Sequence, residues 1–582
     1  MRGKVTFIFD DGLQSAYECA YPMFKEKNIR GCLALFGDFA KNKLTEAQAL
    51  AMQSDGWEIM SHSVHHVRLN GVLSEDEARE DILSSKNLLE KKGFVVRQFV
   101  SPMSVCDEKW YPLLYTAYDA AYTVYKNSAQ CSFDALVIPK PTASYELHRA
   151  SLNGMTPDRL KACIDYVSEH DDWLVFYAHD ISPNGGVTMQ TLAELLTYII
   201  KKGVAVVTGS QAIDSLGCKT RRIKSGFDGE TCLVHARGCA DSCGEMLITA
   251  QNLNVKGSDL FSELLVSRST DSGRTFSGFA PDSAFARIIH ADGTYTLGCD
   301  ATPMYHRAKD TFIVLGQTVR YATDSRKPLG GSRKTFYAVF NRETGTFNRM
   351  KFLELPDRDE FVNAGNGSGQ SVELENGDLL IPIYYRADSA VPQFMSCVIR
   401  CRFDGENITF EEIGNALTMA GEPRGVYEPS VIRFNNQYYM TMRGDHHGYF
   451  SISRDGLHYS DPSLWMWDDG EILSNYNTQQ HWMVCGGDLY LVYTRKAGTN
   501  DHVFRHRAPL FAAKVDIANM RLIKETEFVA VPERGARLGN FGVFSDSENK
   551  AFVVAAEWMQ PQGCEAYGSN NSIYFSEITR WK

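Results

Sequence analysis

No apolar run in these 582 residues reaches the ~18 that a membrane-spanning helix needs, so no membrane span is expected. Surplus positive charge is also missing. Asp and Glu number 71 against 60 Lys and Arg, a formal net charge of −11, which removes the electrostatic reason to seek nucleic acid or an anionic lipid surface. The 14 cysteines show no framework spacing. The nearest to a cluster, Cys232, Cys239 and Cys243, lacks a matching second pair, so reduced thiols are expected there rather than a zinc site. The chain start has no leader-like apolar core. Met1-Arg2-Gly3-Lys4 runs straight into Val5–Phe9 and Asp10. A cytoplasmic location is therefore the expectation, or secretion if a leader once preceded it.

What is present has two textures. Up to about Gly217, short apolar runs alternate with amphipathic stretches. Val5–Phe9, Cys32–Phe36, Val95–Val100, Leu174–Ala178 and Val204–Thr208 read as strands. Ser15–Lys27, Leu44–Gln53 and Leu192–Lys202 read as helices, as does a stretch opened by the Ser74/Glu77 capping box and running to about Lys92. This alternation predicts a parallel α/β domain, barrel-like, over residues 1–218. Residues 219–225 read as a linker. From 226 to 582 helical periodicity nearly vanishes, and short strands such as Thr311–Leu315, Tyr438–Met442 and Ala551–Ala556 recur between Gly, Asp and Asn turns. That pattern and length predict an all-β propeller. The fold class is thus multidomain.

Removing an acetyl group from an amide or ester requires an activated water, a proton acceptor, a positive partner for the tetrahedral oxyanion and a proton for the leaving atom. A divalent metal with an open position meets the first and third needs. Asp10-Asp11-Gly12 ends a predicted strand, where barrels keep their catalytic groups. His62 and His66 are four apart, a spacing that brings two imidazoles to one metal, with His65 as bystander or alternative ligand. His179 follows the strand Leu174–Ala178.

TFIFDDG, SHSVHH, FVSPMS, LHRAS and LVFYAHD occur in this order. Together they resemble the polysaccharide deacetylase family with the NodB homology domain, carbohydrate esterase family four, over residues 4–215. The resemblance implies a distorted (β/α) barrel of fewer than eight strands. It implies Asp10 as base, Asp11, His62 and His66 as ligands of zinc (cobalt or nickel being alternatives), and His179 as general acid. Leu174 would line the acetyl pocket and the backbone N–H of Met103 would help hold the oxyanion. The third motif departs from the family pattern. Val100 stands where an arginine often tunes the base, leaving Arg149, or less favourably Arg97, to fill that role. Met103 and Ser104 replace Tyr and Gly.

In the β region, Ser269–Phe276 fits the Asp-box pattern S-x-D-x-G-x-x-F, and Ser453–Tyr459 is a shortened version. These turns resemble those of sialidase-like propellers and read as structural devices. Arg320, Glu428, Arg443, His481, Arg495, Asp501 and Arg505, several of them in segments that follow apolar strands, are candidate substrate-binding residues. Arg320, Arg443 and Arg495 form either a carboxylate clamp or rim ion pairs. Three functions are open: a deacetylase with a glycan-binding propeller, a deacetylase fused to an active exo-glycosidase, and a non-catalytic glycan-binding protein. The expected partner is an acetylated oligosaccharide or polysaccharide.

Overall fold

The computed structural model describes residues 3–579 apart from 72, 140, 171, 183–186, 258, 323–327, 330–332, 388–392 and 548. The chain divides into two compact units, Met1–Arg221 with Trp581–Lys582, and Arg222–Arg580. No helix among the described residues is long and apolar enough to cross a membrane.

In the first unit, seven parallel strands close on themselves: β1 (Lys4–Phe9), β2 (Cys32–Leu35), β3 (Glu58–Ser61), β4 (Val96–Val100), β5 (Ala120–Tyr125), β6 (Leu147–Ser151) and β7 (Trp173–Ala178). Each pairs with the next, and β7 pairs back onto β1, Lys4 opposite Trp173 through Phe9 opposite Ala178. This is a barrel of fewer than eight strands. The predicted strand Val204–Thr208 shrinks to Ala205–Val206, because Thr208 is taken as the N-cap of the helix Gly209–Asp214. Both faces of β1 are covered. Val5, Phe7 and Phe9 pack outward into the helix layer, with Phe7 and Phe9 edge-on to Phe24 at 5.4 and 5.8 Å. Ile8 joins an inner cluster with Cys32, Ala34, Met60, Val100 and Val175. The two-residue period thus puts Asp10 on the inward face shared with Thr6 and Ile8.

Capping chemistry fixes the helices. Thr45 with Gln48 opens Glu46–Ser54, and Ser74 with Glu77 opens the run that begins at Glu75. The segment 219–225, read as a linker, is instead mostly strand. Cys218–Lys224 alternates buried and half-buried residues, and Lys219 and Thr220 pair with Thr142 and Ala143.

Among the described residues, the second unit is built from six antiparallel sheets in chain order. The first holds Thr231–Ala240, Met246–Asn254 and Phe261–Ser269, and the last holds Phe541–Ser547, Lys550–Ala556 and Ile573–Thr579. The first strand of the last sheet returns to Thr231–Ala240, which closes the ring of a six-sheet propeller. Asp271 accepts from Thr275 N and Oγ1 at 2.9 and 2.6 Å, while Phe276 packs on Phe575 at 5.2 Å. In the shortened version Asp455 accepts from the amides of Leu457 and His458. Both carboxylates are turn devices, spent on their own backbone.

Candidate functional site

The mouth of the barrel holds a cavity of about 410 Å³ whose lining includes Asp10, His62, His66, Met103, Arg149, Tyr177 and His179. Asp10 is 2% exposed, and its amide donates to Ala178 O at 2.9 Å, tying β1 to β7. Asp11 turns into the left-handed region, φ 65°, and Gly12 follows at φ +52°, packed so tightly on Asn42 that a Cβ would lie 2.2 Å from its Oδ1. This sharp turn points two adjacent carboxylates at different partners.

Asp11 faces three imidazoles. Its Oδ1 lies 3.4 Å from His62 Nε2 and 3.5 Å from His66 Nε2, and its Oδ2 lies 3.8 Å from His179 Nε2. The ligand atoms of Asp11, His62 and His66 all lie within 4.8 Å of one another. Burial works to raise the Asp11 pKa, but the neighbouring imidazoles of His62, His179 and His66 outweigh it and hold the group below its ordinary value. His62 is itself committed elsewhere. Its Nδ1 meets Val100 O at 2.7 Å, and a carbonyl can only accept, so Nδ1 carries the proton. In neutral His62 the Nε2 lone pair therefore faces the lone pairs of Asp11 Oδ1, a buried oxygen with no well-aligned donor. Two acceptors set face to face fit a cation between them. His65 turns away to Asp81 at 3.0 Å.

Asp10 is held by an arginine. Arg149 Nη1 donates to both Asp10 oxygens at 2.8 Å, Nη2 donates to Ser104 Oγ at 3.0 Å, and the guanidinium lies over the Tyr177 ring at 4.4 Å. Of the two arginines left open by the sequence, Arg149 is the one at Asp10. Arg97 is spent on Asp119 and Asp214. Ser104 in place of glycine gives Arg149 its second acceptor. Met103 and Ser104 both sit at positive φ, 57° and 54°, the kind of backbone strain that persists where surrounding contacts hold it.

One expectation for this cavity fails. Leu174 is a fully buried core residue paired with Val5. It lies four residues before the end of β7, roughly 13 Å from the mouth. Tyr177, two residues before His179, lines the cavity instead.

A second cavity, of about 570 Å³, lies in the propeller and is rich in arginine: Arg424, Arg443, Arg505, Arg507 and Arg537, together with His235, Asp259, Asp300, Glu428 and Trp558. Glu428 accepts from Arg443 at 2.6 Å, and Arg424 is paired with Asp445. Arg507 and Arg537 have no carboxylate partner among the described residues. Arg507 donates to the Asn477 carbonyl, and Arg537 donates to Gln560 at 3.1 Å over the Trp558 ring at 4.0 Å. Burial and the neighbouring charges of Arg443 and Arg537 push Arg507 well below the guanidinium range, and burial pulls Arg537 down to about 10. A guanidinium stays protonated under ordinary conditions.

Of the seven propeller residues read from the sequence, only Glu428, Arg443 and Arg505 line this cavity. The clamp of Arg320, Arg443 and Arg495 does not form. Arg320 is exposed and paired with Asp292 at 2.6 Å, and Arg495 grips Glu527 through two bonds, over Phe511. His481 is buried between Ser430 and Phe541, with its pKa pulled down to about 3 by burial and the Arg237 charge. Asp501 is exposed and pairs with His506. The other arginines of this cavity, Arg424, Arg507 and Arg537, each come from a loop. Only Arg507 had a signal, in the cluster Arg505-His506-Arg507.

Comparison with known proteins follows this division. The chain is 33% identical over 88 residues to the "Putative polysaccharide deacetylase YxkH" of Bacillus subtilis (strain 168), covering 15% of this chain and 31% of that relative. The Xyl-CE4 domain of a multidomain xylanase from the hindgut metagenome of Trinervitermes trinervoides aligns at 16% identity over 37% of this chain and 91% of its own, TM-score 0.27. The Trypanosoma rangeli sialidase in complex with the inhibitor DANA aligns at 15% identity over 62% of this chain and 59% of its own, TM-score 0.44. Residues 2–109 match the polysaccharide deacetylase family, so the N-terminus of the chain carries a polysaccharide deacetylase domain.

Proposed function

We propose that the first unit is a metal-dependent hydrolase that removes acetyl groups, N- or O-linked, from a carbohydrate. The observation that carries this reading is the Asp11–His62–His66 set, with an unpartnered buried oxygen at its centre and a separately anchored carboxylate beside it. A divalent cation held there, zinc by its mixed nitrogen and oxygen donors with cobalt or nickel as alternatives, would supply positive charge to acidify water and balance an oxyanion. The chain does the rest. Asp10 takes the proton of the attacking water, and the Arg149 fork keeps its two oxygens in place. His179, half-exposed at the opposite lip, returns a proton to the leaving nitrogen or oxygen. The backbone N–H of Met103 faces the oxyanion, and Tyr177 bounds the space for the acetyl methyl. In Asp10→Asn, turnover should drop by about 10² to 10⁴ while stoichiometric metal remains. Loss of the metal with the activity would make Asp10 a ligand and overturn the division of labour.

For the second unit we infer binding of a carboxylate-bearing glycan at the arginine cavity, supported by the two buried guanidinium groups without acidic partners. This favours a glycan-binding propeller. Turnover of an aryl glycoside by the full chain, lost on Glu428→Gln, would instead support an exo-glycosidase there.

A further inference from the structure

The lip of the barrel cavity carries three side chains that the deacetylation chemistry does not use: Arg68, Met103 and Tyr125. Tyr125 ends β5, directly beside Arg149 in register, and is 58% exposed. Met103 is 47% exposed. Large apolar side chains left in water at the rim of a polar cavity are surfaces waiting for a partner, and a tyrosine ring offers a flat face to the C–H side of a sugar.

Arg68 gives this platform a charge. Its Nε donates to Met103 Sδ at 3.0 Å, which fixes the side chain across the lip. Of the other charged groups of the cavity, Asp10 is paired with Arg149, and Asp11 faces the three histidines. Among the described residues no carboxylate pairs with Arg68, so its terminal N–H groups remain for a ligand. A planar fork and an aromatic face lining one cavity are suited to a ring that bears a carboxylate.

We propose that Arg68 and Tyr125 are specificity-determining residues that select an acetylated sugar bearing a carboxylate, Tyr125 under the ring and Arg68 on the anion. The proposal rests on the deacetylase reading for its turnover arm but not for its binding arm. The test uses the full chain, with calorimetry done throughout on an Arg507→Met background (the wild type of this comparison) so that the anion site proposed for the propeller does not contribute. It compares the methyl glycoside of N-acetylgalactosaminuronic acid with its neutral counterpart, methyl N-acetylgalactosaminide. The two differ only in a carboxylate against a hydroxymethyl group. Wild type should bind the acid about fivefold more tightly by calorimetry and show the same preference in KM rather than kcat, both weakening with added salt. Arg68→Gln should abolish that preference, and Arg68→Lys should restore part of it. Tyr125→Ala should weaken both sugars about tenfold, with Tyr125→Phe retaining them. If wild type does not distinguish the two sugars, or Arg68→Gln weakens both equally, the assignment is wrong. If neither sugar is turned over but the binding preference follows Arg68, the deacetylase reading fails for these sugars while the recognition stands.

Discussion

The barrel and propeller cavities use the same residue types to opposite ends. In the barrel Arg149 has an acidic partner in Asp10, and the buried atoms left over include an acidic oxygen, Asp11 Oδ1, as well as Arg149 Nε. In the propeller cavity the guanidinium groups of Arg507 and Arg537 have no carboxylate partner among the described residues. What a polar cavity binds is set by the sign of the charge its own residues fail to compensate, and counting arginines or carboxylates does not reveal it.

The largest expected effect tests the barrel half of this comparison. His62→Ala, His66→Ala together should take metal from one per chain to none and activity below detection, measured by elemental analysis after dialysis and by acetate release. Full metal retention would refute the ligand set. Next comes a paired exchange. Arg149→Met strands Asp10, itself 2% exposed, and should cost about 3–5 kcal/mol in denaturant unfolding. Arg507→Met removes a charge with no acidic partner and should cost less than about 1 kcal/mol. It should nevertheless weaken binding of an acidic sugar by roughly ten- to a hundredfold. Equal destabilisation by the two exchanges would erase the distinction drawn here.

A third effect depends on pH. His235 is buried between the rings of Phe261 and Trp558, and burial, partly opposed by the Asp300 charge, pulls its pKa down to about 4. The unfolded chain therefore takes up the proton first. The stability held by neutral His235 is complete above the unfolded value, about 6.5, and is lost as pH falls toward 4, by up to a few kcal/mol. His235→Gln should flatten that part of the profile in urea titrations, and an unchanged slope between pH 7 and 5 would contradict the burial argument. The smallest effect is at the rim. Arg320→Ala removes an exposed pair and should shift stability by about 0–1 kcal/mol, leaving sugar affinity unmoved by calorimetry.

The pieces of the barrel cavity were legible because each lies in a short local motif at a strand end. Asp10 inherits its inward direction from Thr6 and Ile8 by strict alternation, and His62 with His66 needs only a turn. Leu174 was carried over from the family resemblance as an acetyl-pocket residue, but it lies near the start of β7, and a strand carries residues away from the mouth at about 3.3 Å each. The partnership of Arg149 with Asp10 was half legible. The LHRAS segment named the residue, but only the closed barrel brings β6 within reach of β1. The propeller site was largely illegible. Its lining is gathered from distant sheets and loops, and alternation is broken where it matters. The pairing register slips between Val234 and Arg237 and between Tyr427 and Ser430. His235 and Glu428 sit at these slips with positive φ, 55° and 50°.

Those two slips also bear on how the chain can change over evolutionary time. A strand that has already absorbed one extra residue tolerates a shift of that residue by one position, since the flanking pairs need not move. A one-residue deletion or duplication at His235 or Glu428 would therefore exchange the side chain presented to the cavity while sparing the sheet. The same event in β1 would turn Asp10 out of the barrel and Phe9 into it. The propeller can thus acquire new ligand preferences through small insertions and deletions, whereas the barrel chemistry can vary only by substitution.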